Sequence, residues 1–315
     1  MWWPFLLTIF GFILLIYGGG RVCAGASSLA VRFGISEFII GVTIVAISTS
    51  APELMTSVIA ALNGHPEIVA GNVIGSNLVN IGLAGGLVAL IRPFTITSRI
   101  IEKEMPFLFL VTCLFGVLAI FSLIRFFVGV LLVALNILYL YFICKNDQLT
   151  EEDQNVTSKI SLGIDFGKAL WVFLFGLLLL FLGAHFVISG SVELAHLLGW
   201  SDALIGFTII AVGTSFPEIA VSLIAALRGY GSICTGNIIG SNIFNTLMIT
   251  GSCAIFGPVS VNLHLCHFGI PSLVFLTALM WRFFTTRRKI NRLEGLILFI
   301  AFVCVFSLSI YFQLS

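Results

Sequence analysis

The sequence predicts an all-α polytopic membrane protein in which ten transmembrane helices form two inverted five-helix repeats. Three observations lead to this fold class. Of the 315 residues, 59% are hydrophobic and only 9% are charged, whereas about a quarter of the residues in soluble domains are charged. A long stretch of the chain occurs twice without a gap, which indicates internal duplication. The basic residues fall almost entirely on one side of the predicted membrane.

Apolar runs of about twenty residues recur along the chain, and this is the length that crosses a bilayer as a helix. The first run has no basic region before it, so we expect a first membrane helix and not a cleaved signal peptide. In chain order the predicted spans are Pro4–Ala24 with a continuation towards Phe33, Glu37–Leu62 with an interruption at Pro52, Ile68–Ile91, Met105–Leu123, Phe126–Cys144, Phe166–Leu198, Ala203–Leu227, Ser232–Phe256, Phe268–Phe284 and Leu293–Phe312.

Residues 145–165 separate the two halves of the chain. This long polar segment has mixed charge and no apolar periodicity, as is typical of a linker. We therefore predict a first five-helix membrane repeat over residues 1–144, a cytoplasmic linker over 145–165, and a second, inverted five-helix repeat over 166–315.

The distribution of lysine and arginine predicts the orientation. Of the 15 such residues, Arg125 is the one that falls in a loop after an even-numbered span. The positive-inside rule then places both termini outside and the linker in the cytoplasm, and a chain this compact is expected in a prokaryotic inner membrane. Five spans per half is an odd number, so the second half enters the membrane upside down. Inverted repeats around a midplane site are typical of secondary transporters.

The duplicated stretch recurs 165 positions later. Gly41–Gly64 (GVTIVAISTSAPELMTSVIAALNG) matches Gly206–Gly229 (GFTIIAVGTSFPEIAVSLIAALRG), and Gly71–Asn80 (GNVIGSNLVN) matches Gly236–Asn245 (GNIIGSNIFN). The residues that it keeps most faithfully are polar, although both stretches lie in apolar spans. The repeated polar pairs are Thr49/Thr214, Ser50/Ser215, Glu53/Glu218, Asn72/Asn237, Ser76/Ser241, Asn77/Asn242 and Asn80/Asn245.

Only two carboxylates, Glu53 and Glu218, are expected well inside the predicted spans, and they occupy equivalent positions of the repeat. A charge near the bilayer centre costs at least ~3 kcal/mol, so each needs a partner or a water-filled cavity. No basic residue lies in the same part of either span. A bound cation is then the simplest partner. The alternative is a protonated glutamate that is hydrogen-bonded between helices.

Each glutamate follows a proline, within STSAPE and GTSFPE. A proline inside a helix removes an amide donor and clashes with the preceding turn, so we expect a kink or an unwound turn. Such a break would free backbone carbonyls near Ala46, Thr49, Ala211 and Thr214. Hydroxyl groups lie one turn from the glutamates at Thr49, Ser50, Thr214 and Ser215. Back-bonding to the preceding turn is the alternative role for these hydroxyls.

The GNxxGSN motif places polar side chains four residues apart, at Asn72, Ser76 and Asn80, so they share one helical face. Asn237, Ser241 and Asn245 repeat this ladder. We expect Ser76, Asn80, Ser241 and Asn245 to line a site. For Asn72, Asn237, Asn77 and Asn242, a role in tying helices together remains open. The glycines of the motif are explained by close helix packing alone.

The candidate donors are all oxygens: carboxylate, hydroxyl, amide and carbonyl. Such sets suit hard cations such as Ca²⁺, Mg²⁺ or Na⁺, and a broad, flexible cluster favours calcium over magnesium. The seven cysteines are scattered through apolar segments without metal-binding spacing and are interpreted as small hydrophobes. Two buried carboxylates would make an empty site costly to occlude, which favours obligatory exchange over leak.

On these motifs the chain resembles the two alpha repeats of the calcium/cation antiporter superfamily, on its sodium/calcium exchanger branch. The resemblance implies that Glu53 and Glu218, with the oxygens of Thr49 and Thr214, bind calcium. It implies that sodium sites are lined by the glutamates together with Ala46, Ser50, Ser76, Ala211, Ser215 and Ser241. Asn80 and Asn245 would lie at the centre. Many relatives have aspartate in place of Asn245, which leaves the stoichiometry and any potassium co-transport open.

The leading hypothesis is therefore a sodium-driven calcium antiporter that works by alternating access and is not an enzyme. A proton-coupled or broader cation/calcium exchanger is the alternative, although GNVIGSN and GNIIGSN lack the acidic residue typical of the proton-coupled branch. A remote alternative is an intramembrane enzyme with paired carboxylates. The expected partners are Ca²⁺, Na⁺ and the lipid bilayer, with no cofactor, nucleic acid or obligate protein partner. The direction of net flux and the oligomeric state are open.

Overall fold

The computed structural model of the chain describes residues 2–146, 165–199, 209, 211–261, 265–286 and 288–314. Most of the predicted linker and the first part of the predicted seventh span, from Ala203, lie outside these ranges. Ala211 is described as part of a helical turn without its side chain.

Nearly all of the described chain is helical. In chain order the helices are α1 (Trp3–Phe33), α2 (Glu37–Thr49), α3 (Ala51–Leu62), α4 (Pro66–Ile91), α5 (Ile100–Ile120), α6 (Phe126–Lys145), α7 (Phe166–Leu197), α8 (Phe216–Arg228), α9 (Gly231–Phe256), α10 (Leu265–Thr285) and α11 (Arg292–Leu314). A single helical turn, Ala211–Gly213, precedes α8. Two short strands, β1 (Phe94–Thr95) and β2 (Lys289–Ile290), pair antiparallel.

Within the described ranges, eight helices are long and apolar enough to cross a membrane, and α2 with α3 makes a ninth if the two count as one bent span. The remaining predicted span is described only as the turn Ala211–Gly213 and α8. The prediction of a polytopic, all-α membrane protein is confirmed, and the predicted ten spans are consistent with the helices found. The short pair β1–β2, which links the segments before α5 and α11, was not predicted.

The interruption predicted at Pro52 is present, but its form differs from a proline kink. Helix α2 ends at Thr49, and α3 starts at Ala51 with Pro52 in its first turn, at a bend of 45°. Amide groups in the first turn of a helix have no acceptor within the helix, so a proline there costs no hydrogen bond. Helix α8 starts in the same way, with Pro217 in its first turn.

The backbone conformation also recurs at a spacing of 165 residues, and this recurrence extends beyond the stretch that is duplicated in the sequence. The π-helical turns Val79–Gly85 and Ile100–Glu104 have counterparts at Asn245–Ile249 and Leu265–Gly269. A π-helical turn holds one extra residue, is rare, and often lies at a functional site. Its recurrence at matched positions indicates that the duplication included the spans α5 and α10.

Helix ends follow the same repeat. The glycines with left-handed backbone are Gly34 (φ 66°), Gly64 (φ 78°), Gly199 (φ 80°) and Gly229 (φ 90°). These four residues form two pairs that are 165 positions apart. Glycine adopts this conformation without the steric penalty that a Cβ atom brings. Two turns are therefore each specified twice by the sequence.

The chain divides into two compact units, and each unit takes elements from both halves of the sequence. The first comprises Met1–Thr49 and Leu140–Gly240, and the second comprises Ser50–Tyr139 and Ser241–Ser315. The unit boundaries thus fall inside the repeated motifs. The predicted domain boundaries, 1–144 and 166–315, describe the duplication in the sequence and remain a prediction.

In the first unit, α1 and α7 pack closely because both helices present glycines. A Cβ atom on Gly18 would lie 2.9 Å from the carbonyl oxygen of Gly176, and one on Gly183 would lie 2.8 Å from that of Gly11. In the second unit, Gly82 and Gly86 of α4 make similar contacts with α11. Small residues are what allows membrane helices to approach this closely.

Candidate functional site

The predicted site residues are buried, but they belong to both compact units. Ala46, Thr49, Thr214, Ser215 and Glu218 lie in the first unit with Ala211. The second unit contains the other six, Ser50, Glu53, Ser76, Asn80, Ser241 and Asn245. The side chains described for these residues are at most 1% exposed, apart from that of the half-buried Thr214. Polar groups buried this deeply in an apolar chain are costly, so their neighbours matter.

In the second unit, Asn72 of α4 joins its helix to α3. The side-chain amide of Asn72 donates to the backbone carbonyl of Glu53 at 3.2 Å and to the hydroxyl of Ser57 at 2.8 Å. These two bonds hold the helical turn that carries the Glu53 carboxylate, and the pair of bonds is called the brace of this unit. The open hypothesis that Asn72 ties helices together agrees with these bonds.

The first unit contains the same arrangement at the equivalent positions. Asn237 of α9 donates to the backbone carbonyl of Glu218 at 3.3 Å and to the hydroxyl of Ser222 at 2.9 Å. The two sets of distances agree within 0.1 Å. Sequence reasoning missed Ser57 and Ser222, although both are kept in the repeat. An identical small polar residue in both copies was the signal that could have identified them.

Thr49 connects to the brace of the first unit. The Thr49 hydroxyl lies 3.1 Å from the side-chain oxygen of Asn237 and 3.3 Å from the backbone carbonyl of Ala46. A hydroxyl has one proton, so it donates to one of these acceptors at a time or shares the proton between them. Back-bonding, the alternative considered for this residue, is therefore one of its two available contacts.

Several buried polar atoms have no hydrogen-bond partner among the described residues. They include the hydroxyl oxygens of Ser76, Ser241 and Thr214, both side-chain amide atoms of Asn80 and the side-chain oxygen of Asn245. A buried polar atom without a partner costs about 1–3 kcal/mol. Four of these residues, Ser76, Asn80, Ser241 and Asn245, are those that the polar ladders predict to line a site, and their oxygens could coordinate a cation.

A network of four residues lies beside them in the second unit. The Asn77 amide donates to the backbone carbonyl of Asn242 at 3.3 Å and to the Thr246 hydroxyl at 2.8 Å. The Thr246 hydroxyl donates to the same carbonyl at 2.7 Å, and the Asn245 amide donates to the Asn77 side-chain oxygen at 3.1 Å. Asn77 thus ties α4 to α9. Thr246 was not among the predicted residues.

The expectation that only two carboxylates lie well inside the spans is wrong. Glu53 and Glu218 are not the only buried carboxylates in the spans, because α5 starts at Ile100 and not at Met105, which places Glu104 inside it with 4% exposure. Glu104 differs in its surroundings. Arg99 lies 3.3 Å from one carboxylate oxygen, and the Tyr139 hydroxyl donates to the other at 2.8 Å. These contacts indicate a structural role for Glu104.

Comparison with known proteins identifies the relatives of this chain. Residues 3–145 and 168–311 match the family model for sodium/calcium exchanger proteins. CaxA of Alkalimonas amylolytica is 39% identical over 309 residues, which cover 95% of this chain and 96% of CaxA. The sodium/calcium exchanger MaX1 of Methanosarcina acetivorans is 31% identical, with 95% and 96% of the two chains covered.

Solved structures of the sodium-calcium exchanger NCX_Mj have the same fold. One of them, from a crystal soaked with 10 mM Na⁺ and 10 mM Sr²⁺, matches with a TM-score of 0.84 at 31% identity and covers 96% of this chain and 97% of NCX_Mj. This agreement confirms the predicted fold class of two inverted five-helix repeats. It also confirms the resemblance to the calcium/cation antiporter superfamily that the two repeated motifs carry.

Proposed function

The chain belongs to the sodium/calcium exchanger protein family, and from that premise we propose that it is a secondary active antiporter that exchanges Na⁺ for Ca²⁺ across the membrane by alternating access. It is an integral membrane protein, and its relatives include CaxA and the sodium/calcium exchanger MaX1. The proposal adds the transported ions, the residues that bind them and the mode of coupling.

The observation that carries the proposal lies within the second compact unit. Glu53, Ser76, Asn80, Ser241 and Asn245 are each at most 1% exposed, and the four uncharged side chains have polar atoms without a hydrogen-bond partner among the described residues. A carboxylate with neutral hydroxyl and amide oxygens is a donor set for hard cations. Oxygens that coordinate an ion no longer carry the cost of burial without a partner.

We assign the ions according to the repeated motifs. In this proposal Glu53 and Glu218, with the oxygens of Thr49 and Thr214, bind Ca²⁺, and Asn80 and Asn245 lie at the centre of the site. The glutamates, together with Ala46, Ser50, Ser76, Ala211, Ser215 and Ser241, line the Na⁺ sites. The equal bracing of Glu53 and Glu218 by Asn72 and Asn237 supports an equivalent role for the two glutamates.

Charge accounts for the coupling in this proposal. Two ionised glutamates without a cation would leave about two negative charges in a low dielectric, and that state is too costly to occlude. One Ca²⁺ or several Na⁺ ions neutralise the charge and allow the protein to change its accessible side. Each crossing then carries ions, so that sodium movement down its gradient drives calcium the other way.

Calcium flux into proteoliposomes tests the function directly. Purified protein is reconstituted with Na⁺ inside, and ⁴⁵Ca²⁺ uptake is measured after dilution into Na⁺-free buffer, with K⁺ and H⁺ gradients imposed in separate samples. We expect uptake that requires the Na⁺ gradient and is absent from protein-free liposomes. Uptake that follows the H⁺ gradient instead would replace this proposal with the proton-coupled alternative. Peptide hydrolysis without any flux would favour the intramembrane enzyme.

The orientation is a further part of the proposal, with both termini outside and residues 145–165 in the cytoplasm. Fusions of alkaline phosphatase, which is active only outside the cytoplasm, test it in a bacterial host. A fusion after residue 315 should be active, and one within 147–160 should be inactive. The reversed pattern would contradict the proposed orientation.

A further inference from the structure

We infer that Thr246 is a positioning residue of the proposed ion site, because it orients the side-chain amide of Asn77 and thereby directs the side-chain oxygen of Asn245 towards the ions. This inference rests on the proposed function. Thr246 is 1% exposed, and both asparagines are fully buried, so the contacts among them are not shared with bulk water.

The orientation of the Asn77 amide follows from the donors and acceptors around it. The backbone carbonyl of Asn242 can only accept, so the side of Asn77 that faces it at 3.3 Å must be the NH₂ group. The single proton of the Thr246 hydroxyl points to the same carbonyl, at 2.7 Å. The Thr246 oxygen is therefore left to accept the second Asn77 proton, at 2.8 Å.

The orientation of Asn77 then determines that of Asn245. With its NH₂ group engaged, Asn77 presents its side-chain oxygen to Asn245, and only a donor can pair with it. Asn245 meets this need with its own NH₂ group at 3.1 Å. The side-chain oxygen of Asn245 consequently points away from Asn77, and no described residue donates to it. It is available to coordinate an ion.

The first copy of the repeat provides an internal comparison. Its counterpart of Thr246 is Ile81, which is buried and has no hydroxyl. The bond that would mirror Asn245 to Asn77 runs from Asn80 to Asn242, and it is absent, since neither amide atom of Asn80 has a partner among the described residues. The asparagine near the threonine is thus held in one orientation, whereas its counterpart is not.

A purely structural role for Thr246 is the competing explanation, because threonines in membrane helices often back-bond to the preceding turn. Thr277 of α10 provides a matched control. It is fully buried in the same compact unit and back-bonds to the carbonyl of Leu273, also at 2.7 Å. The two threonines differ in that Thr246 also accepts a proton from Asn77.

The test compares calcium KM and kcat in sodium-gradient-driven uptake. We expect Thr246→Val, which removes the hydroxyl at nearly constant volume, to raise the KM for Ca²⁺ about tenfold, as for the loss of one well-placed interaction, with kcat within about twofold. Thr246→Ser keeps the hydroxyl and should restore the wild-type KM. Thr277→Val should leave the KM unchanged. In an Asn245→Ala background, Thr246→Val should add little, because the two residues act through one path.

The outcomes separate this inference from the proposed function. Wild-type protein that carries no Ca²⁺ under a sodium gradient would contradict the proposed function itself. If wild type exchanges but Thr246→Val has a wild-type KM, or if Thr246→Ser is as impaired as Thr246→Val, the positioning role is wrong. An additive loss in the Asn245→Ala background would also overturn it. If the valine variant does not fold, as judged by size-exclusion chromatography, Thr246→Ala carries the same test.

Discussion

The two copies of the repeated motif are alike around the glutamates and unlike at the polar ladder. Asn72 and Asn237 make the same pair of hydrogen bonds, to a glutamate carbonyl and a serine hydroxyl, within 0.1 Å. About two turns further on, Asn245 is bonded to Asn77, whereas Asn80 has no partner among the described residues. The braces are thus alike in the two copies, whereas the two asparagines that we place at the centre of the site differ in their hydrogen bonds.

The largest effect should come from the glutamates. Because the two copies are alike around Glu53 and Glu218, we expect the two substitutions to reduce calcium uptake equally. We expect Glu53→Gln and Glu218→Gln each to abolish sodium-driven calcium uptake, because a neutral amide cannot balance the charge of the ions. Glu67→Gln is the matched control, since Glu67 is exposed and close only to His65 among the ion pairs found. Proteoliposome flux measures all three. Substantial uptake by either glutamine variant would mean that the two copies are not equivalent.

The next largest effect should differ between the two central asparagines, Asn245 and Asn80. We expect Asn245→Asp to reduce calcium uptake about tenfold, because an ionised carboxylate would place an acceptor against the side-chain oxygen of Asn77, 3.1 Å away in the present structure. Asn80→Asp makes no such contact and should be impaired less. Flux at saturating and limiting Ca²⁺ checks the order of the two variants. Equal impairment would show that the Asn77 bond does not distinguish them.

A smaller effect should reveal the two braces. Asn72→Ala and Asn237→Ala each remove two buried hydrogen bonds, which should destabilise the protein by about 1–3 kcal/mol. We expect similar losses for the two variants, measured as the shift in thermal unfolding of detergent-solubilised protein. A loss of stability in only one of the two variants would show that hydrogen bonds of matching length contribute unequally to stability.

The smallest effect concerns the serines alone. Ser57→Ala and Ser222→Ala remove one hydrogen bond from each brace but keep the bond to the glutamate carbonyl. The cost should be about 0.5–1.5 kcal/mol in each case, again by thermal unfolding, with uptake close to wild type. If the serine variants lost as much stability as the asparagine variants, the carbonyl bond would contribute nothing.

Much of the fold and of the candidate site could be predicted because polar residues are conspicuous in apolar spans. The asparagine ladders and the break before Glu53 were visible for this reason. The site residues identified in this way remain predictions as ligands. The brace partners Ser57 and Ser222 were not recognised, because a serine in a membrane helix gives no local sign of which side chain it meets.

Other features depended on contacts between residues that are distant in the sequence. The charged segment Ile100–Glu104 resembles a loop in the sequence, yet it is helical, and Arg99 and Tyr139 satisfy its buried Glu104 carboxylate. The strands β1 and β2 have two residues each, too few for any periodic signal, and each exists only through the other. Thr246 stands out only when it is compared with Ile81, its counterpart in the repeat.

The left-handed glycines have a consequence for how the chain tolerates movement. An L-alanine Cβ at Gly34, Gly64 or Gly199 would meet no described atom within 4 Å, so the surroundings leave room there for a side chain. What disfavours substitution is handedness, at about 1–2 kcal/mol per residue. The conformation of these turns is therefore specified by the handedness of the backbone and not by packing against neighbours. We expect the turns to keep their conformation when the packing of the adjoining helices changes.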